Sequence, residues 1–166
     1  MKGFFYRNWE EPAYLGPLVL IRVFCGYYFL STAITKLGAP WFATAPYTGM
    51  IQKAADTNIS PGYKAFLLNW VIPNIEVFRF LNWFGEIALG VALVLGLFTR
   101  LAALVAIFVL FNYWYAMGGS PAAAPGTPQI IKHMAFGLAV VFLTAAGRSF
   151  GFDRALHQQF PRNPLF

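Results

Sequence analysis

Charge is what this sequence has least of. Its Lys and Arg number 12 and its Asp and Glu 6, so charged residues make up 11% of the 166. A soluble domain carries about 25%, and the deficit argues for a bilayer as solvent. Cysteine is nearly absent. Cys25 stands alone, which excludes an intrachain disulfide and a self-contained dithiol relay, both of which need two thiols. In its apolar neighbourhood it reads as a small packing residue. Histidine is scarce as well. With only His133 and His157, the second beyond the last apolar run, bis-histidine haem ligation inside a bundle lacks a ligand. No Cys/His or carboxylate cluster has zinc spacing, and neither a P-loop nor a dinucleotide-binding glycine fingerprint occurs. A flavin or nucleotide would have to come from a partner.

What fills the chain instead is apolar. Hydrophobic residues reach 58% and aromatics 19%, with a mean hydropathy of +0.57. Abundant Trp and Tyr fit rings placed at the headgroup level. The net charge of +6 does not point to nucleic acid. The basic residues stand at the ends of apolar runs, where they meet anionic lipid and set topology.

Runs of about 17 to 25 apolar residues, the length that crosses hydrocarbon, mark the spans. They fall at about 17–37, 75–98, 101–117 and 130–146. The expected fold is therefore an all-α integral membrane bundle of four transmembrane helices in one domain, 1–166, with an extramembrane loop at 38–74. The first run starts late, contains Arg22 and is too long for a cleavable leader, so it reads as a retained span. The loop is partly helical. Pro46 begins one short helix ending near Ala55, and Ser60-Pro61 begins a second that Pro73 ends. Only Thr99-Arg100 separates the second span from the third, which forces an antiparallel hairpin.

Basic residues set the orientation. Lys2, Arg7, Arg22, Arg100, Arg148, Arg154 and Arg162 fall on one side, against Lys36, Lys53, Lys64, Arg79 and Lys132 on the other. The bias favours both termini in the cytoplasm.

The second span carries a carboxylate, Glu86, near its middle. A charge in hydrocarbon costs roughly 3 kcal/mol on insertion scales, so it must be paired, neutralised or turned to a protein interior. Lys36 ends the first span on the same side, and its stem can reach Glu86 along the helix. Small residues, among them Gly85, Gly90, Gly96, Ala102, Ala103, Ala106, Gly137 and Ala139, let helices approach where lipid gives no hydrophobic drive.

Gly85-Glu86-Ile87-Ala88-Leu89-Gly90, followed by Leu95-Gly96-Leu97-Phe98-Thr99-Arg100-Leu101-Ala102-Ala103, resembles the core signature of the DoxX family. Arg22, Gly26, Phe29 and Lys36-Leu37 in the first span fit the same pattern, as does the tail Gly147-Arg148-Ser149-Phe150-Gly151-Phe152-Asp153-Arg154. Phe111-Asn112-Tyr113 and the extended first loop look more like DoxD, the large subunit of thiosulfate:quinone oxidoreductase. The resemblance covers about Leu18 to Leu156. It implies a four-helix membrane bundle associated with quinone-linked redox chemistry, often alongside other subunits, in a bacterial or archaeal cytoplasmic membrane. Fold and family do not by themselves name a reaction.

Under that resemblance, two readings of Glu86 and Lys36 stand side by side. One is a buried pair that fixes helix register with little net stability. The other is a catalytic pair, Glu86 exchanging a proton as a quinone is reduced or oxidised. His133, near the start of the fourth span, is a further candidate, since an imidazole can donate to a quinone carbonyl; a water-satisfied interfacial histidine is the plainer account. Asn112 needs partners within its span. Tyr113, Trp83 and Tyr28 are the rings available for a flat slot, although an aromatic belt also accounts for them. The expected function is a quinone-interacting subunit of a membrane oxidoreductase, in contact with lipid and other subunits. The competing expectation is a non-catalytic assembly subunit of a respiratory or photosynthetic complex. A small-solute transporter fits less well, because no pair of broken helices occurs.

Overall fold

The computed structural model describes residues 16–56, 60–116 and 127–160, and no strand occurs among them. In chain order the helices are α1 (Leu18–Gly38), α2 (Thr44–Asp56), α3 (Pro61–Phe66), α4 (Ile75–Leu95), α5 (Thr99–Ala116), α6 (Thr127–Thr144) and α7 (Asp153–Gln159). Short 3-10 turns lie at Pro40–Phe42 and Ala146–Arg148. Three helices, α1, α4 and α5, are long and apolar enough to cross a membrane. The apolar stretch of α6, Gln129–Thr144, is shorter.

The second loop helix forms where its start signal predicted, whereas the first, α2, begins at Thr44, two residues before the expected Pro46. The Ser60 hydroxyl accepts the Tyr63 amide at 3.4 Å, and Pro61 follows it, a capped start to α3. That helix runs into a π turn, Leu67–Val71, closed by the Ile72 amide on the Leu67 carbonyl at 2.9 Å, just before Pro73. The hairpin differs from expectation. α4 stops at Leu95 instead of Phe98, because Gly96 adopts the left-handed conformation (φ 67°) and the Leu97 amide bonds back to Ala92 at 2.9 Å. The connection is therefore Gly96–Phe98, and Thr99-Arg100, read as the link, opens α5.

α1 packs most extensively on α4 and α5 on α6, while α1–α6 and α4–α5 contacts close the ring. α1 and α4 cross backbone to backbone. A Cβ on Gly26 would stand 2.9 Å from the Gly90 carbonyl oxygen and from the Val94 nitrogen, so only glycine fits. Leu93, Ala103, Ala106, Leu138 and Val141 fill the centre with no exposure. Ala102, Ala103 and Ala106 take the packing role expected of them. Gly85 has no neighbour within 4 Å of the position a Cβ would take.

α2, α3 and the π turn build a second core of Tyr47, Ile51, Ala55, Leu67 and Val71 over one end of the bundle. Arg79, on α4, fastens it: it pairs with Glu76 at 2.5 Å, donates to the Phe42 carbonyl at 3.3 Å and lies over the Phe42 ring. Glu76 in turn accepts from the Thr44 hydroxyl.

The opposite end is tied by the tail. The Arg22 guanidinium, 1% exposed, donates to the carbonyls of Ala146 (2.9 Å), Ser149 (3.2 Å) and Phe150 (3.1 Å). The Asp153 carboxylate accepts the amides of Phe98 (2.6 Å) and Thr99 (2.8 Å), capping α5 from a distant part of the chain.

Candidate functional site

Lys36 is the last charged residue of α1 and Glu86 lies mid-way along α4. The Gly26–Gly90 crossing brings these helices close enough for the side chains to meet. The ammonium stands 2.6 Å from Oε2 of Glu86, with the side chains 9% and 2% exposed. Among the described residues Oε2 has no other polar partner. Oε1 accepts from the Tyr113 hydroxyl on α5. Lys36 also donates weakly to that hydroxyl at 3.5 Å and lies 5.6 Å from the centre of its ring. The carboxylate is thus bound on both oxygens, as a charge at this depth requires.

Asn82 precedes Glu86 by one helical turn and shares its face. Its side-chain oxygen receives the Tyr113 hydroxyl, and its amide nitrogen donates to the Tyr47 hydroxyl of α2 at 3.4 Å. One tyrosine hydroxyl has one hydrogen, yet it faces two acceptors, Glu86 and Asn82. Rotating the Asn82 amide by half a turn resolves this: its nitrogen then donates to Tyr113, its oxygen accepts from Tyr47, and the Tyr113 hydrogen goes to Glu86. With that rotation every donor in the array Tyr47–Asn82–Tyr113–Glu86–Lys36 has an acceptor. Burial holds the Tyr47 hydroxyl above its ordinary value, so it stays protonated at its end of the array.

Lys36, Asn82, Glu86 and Tyr113 line a cavity of about 370 Å³, with Tyr47 behind Asn82 outside its wall. Phe29, Leu110 and Ile131 supply its apolar wall, and Ser31, Thr32 and Thr35 face it from α1. Those hydroxyls give their hydrogens to the helix's own carbonyls at 2.7–2.9 Å, which leaves oxygen lone pairs towards the space. Thr35 and Met50, both exposed, form its mouth.

Of the residues singled out from sequence, Lys36, Glu86 and Tyr113 come together here. His133 does not: it sits on the exposed face of α6 and is not part of the cavity wall. Asn112, one residue from Tyr113 and so on another face, bonds to the Phe108 carbonyl at 2.8 Å and receives the Tyr63 hydroxyl at 3.3 Å. Trp83 donates to the Ala33 carbonyl at 3.2 Å and packs beside the loop core. Tyr28 reaches the wall, as a flat slot would need. Asn82 and Tyr47 were missed. Asn82 carried a signal, a polar residue one turn from a buried carboxylate, whereas Tyr47 carried none.

The family model for DoxX matches residues 17–119, more than half of the chain. The chain belongs to the DoxX family. The match takes in α1, the loop helices, α4 and α5, and with them every polar residue of the Lys36–Glu86 array. No curated protein and no solved structure matches the chain. The protein is thus a DoxX-family membrane protein whose polar centre lies in the matched segment.

Proposed function

We propose that this DoxX-family protein is the quinone-interacting, DoxD-like subunit of a membrane-bound oxidoreductase. The observation that carries the reading is a buried carboxylate–ammonium–phenol cluster opening into a cavity among membrane helices. Its volume of about 370 Å³ lies at the lower end of the range for small-molecule sites, enough for a ring but not for a long tail. The donor set fits a ring bearing carbonyls or hydroxyls. Lys36 and Tyr113 donate, Glu86 and the α1 hydroxyls accept, and Phe29 and Tyr28 give flat apolar walls. A quinone bound there supplies two-electron redox chemistry coupled to protons. The chain's own part is to orient the ring, exclude water and hold or release a proton at Glu86, with Lys36 neutralising the carboxylate when it is charged.

In this reading α6 is the fourth crossing. Its apolar stretch spans about 24 Å, short of the roughly 30 Å hydrocarbon layer, which local thinning or the flanking residues make up. Both termini face the cytoplasm of a bacterial or archaeal cell, and the loop helices face the other side. Electrons come from a partner subunit or a small reductant.

The test is purification in mild detergent with extraction of bound quinone. Retention of stoichiometric quinone, lost in Glu86→Gln and Lys36→Met, is the expected result. A stable place in a large cofactor-rich assembly, with no quinone attributable to this chain, would instead make it a non-catalytic assembly subunit.

A further inference from the structure

The α1 wall of the cavity carries three hydroxyls, Ser31, Thr32 and Thr35, on one side of the helix. Each hydroxyl has one hydrogen, and each gives it to a carbonyl of its own helix. Ser31 donates to Tyr28 at 2.9 Å, Thr32 to Phe29 at 2.9 Å and Thr35 to Ser31 at 2.7 Å. A helix in hydrocarbon favours this arrangement, because no bulk water is there to take the hydrogen. Such a wall offers the cavity oxygen lone pairs.

Hydrogens are scarcer. The Lys36 ammonium has three; it gives one to Glu86 and, weakly, one to the Tyr113 hydroxyl, which leaves one among the described residues. Asn82, its amide rotated as above, gives one to Tyr113 and keeps one. The Tyr113 hydrogen lies on Glu86 and reaches a ligand only by leaving that carboxylate. Glu86 has one partner on each oxygen, and each oxygen has two lone pairs. The cavity is therefore richer in acceptors than in donors. A quinone oxygen can only accept. A hydroquinone oxygen accepts and donates, so it fits opposite Lys36 and opposite the α1 hydroxyls alike.

We propose that the cavity holds the hydroquinone form of its ring more tightly than the quinone form, and that Ser31 and Thr32 make the distinction. The inference rests on the quinone reading of the site. To meet a quinone carbonyl at that wall, a hydroxyl must turn round and give up its helix carbonyl. The loss is the net contribution of one hydrogen bond, about five-fold in affinity. Tighter binding of the reduced form draws electrons onto the bound ring: for a two-electron couple, five-fold raises its potential by about 20 mV.

The experiment titrates the intact protein in nanodiscs, under anaerobic calorimetry, with tetramethylbenzoquinone and with its hydroquinone. Neither ring has a tail, and uptake by empty nanodiscs is subtracted. Wild type should bind the hydroquinone about five-fold more tightly than the quinone. Ser31→Ala combined with Thr32→Val should erase the difference by weakening the hydroquinone and not the quinone, whereas Thr32→Ser, which keeps a hydroxyl, should preserve it. Thr144 is bonded to its own helix in the same way, 2.7 Å from the Val140 carbonyl, but lies outside the cavity wall, so Thr144→Val should change nothing. Circular dichroism confirms that each variant keeps its helices. Equal affinity for the two forms, or tighter quinone, in the wild type would overturn the proposal and leave the quinone reading standing. A preference unchanged in the double variant, or lost equally in Thr144→Val, would overturn the role of Ser31 and Thr32. Binding of neither ring would overturn the quinone reading and this inference together.

Discussion

Lys36 and Glu86 are both buried. At 2.6 Å apart they offset one another, and the net stability of such a pair against an apolar replacement is near zero. Removing one partner is different, because the remaining charge is left buried. Lys36→Met should therefore destabilise by about 3–5 kcal/mol, and the double change Lys36→Met with Glu86→Gln should recover most of that loss. Thermal unfolding in detergent decides it; equal loss in the single and double variants would mean that the pair is not coupled. The same scale explains what reading the chain missed. A lysine and a glutamate in apolar runs can be matched because few partners exist for either. His133 cannot be placed by its position near a span's start, since that does not say which helix face it occupies. Asn112 and Tyr113 are neighbours in sequence but about 100° apart around their helix, so only one of them reaches the cavity.

At the scale of elements, the ends of the helices do more than their middles. α5 has no side-chain cap from its own preceding residues; Asp153 supplies one from the tail. Asp153→Ala should strip two amides of their partner and cost about 1–2 kcal/mol, with hydrogen exchange rising first at the start of α5. Unchanged protection there would show that the cap is dispensable. α7 carries a pH dependence of calculable sign. His157 is held below its ordinary value by burial and by Arg148 and Arg100. Above about pH 6.5 the imidazole is neutral in both docked and released states, and has no effect. As pH falls through that range the released helix takes up a proton that the docked one resists, so docking weakens. Exchange of the α7 amides should speed up on acidification, and His157→Gln should abolish the change. An acid-independent α7 in the wild type would refute it.

For the whole molecule, the up-and-down order of α1, α4, α5 and α6 places the loop helices and α7 at opposite ends. If α6 completes a fourth crossing, Lys53→Cys and Gln158→Cys should be labelled by a membrane-impermeant thiol reagent from opposite sides; labelling from one side would leave three crossings. Cys25, 1% exposed, contributes little background. The arrangement also separates two polar regions, the cavity under the loop helices and the Arg22 and Asp153 contacts with the tail at the other end, with the dry layer of Leu93, Ala103, Ala106, Leu138 and Val141 between them.

Composition and periodicity alone determined that this chain lives in a bilayer, where its apolar runs lie, and that Glu86 must have a partner. Those follow from local quantities: run length against hydrocarbon thickness, and the cost of an unpaired charge. The capped start at Ser60-Pro61 was legible for the same reason, since a cap is a matter of adjacent residues. The tertiary structure alone decided that Tyr47 reaches Asn82, that Arg22 is held by carbonyls of a tail 124 to 128 positions away, and that α4 ends at Gly96. The first two depend on how a loop and a tail fold over helices distant in sequence. The third depends on which of several glycines takes the left-handed turn, a choice made by the packing of Arg22 and Gly151 against it.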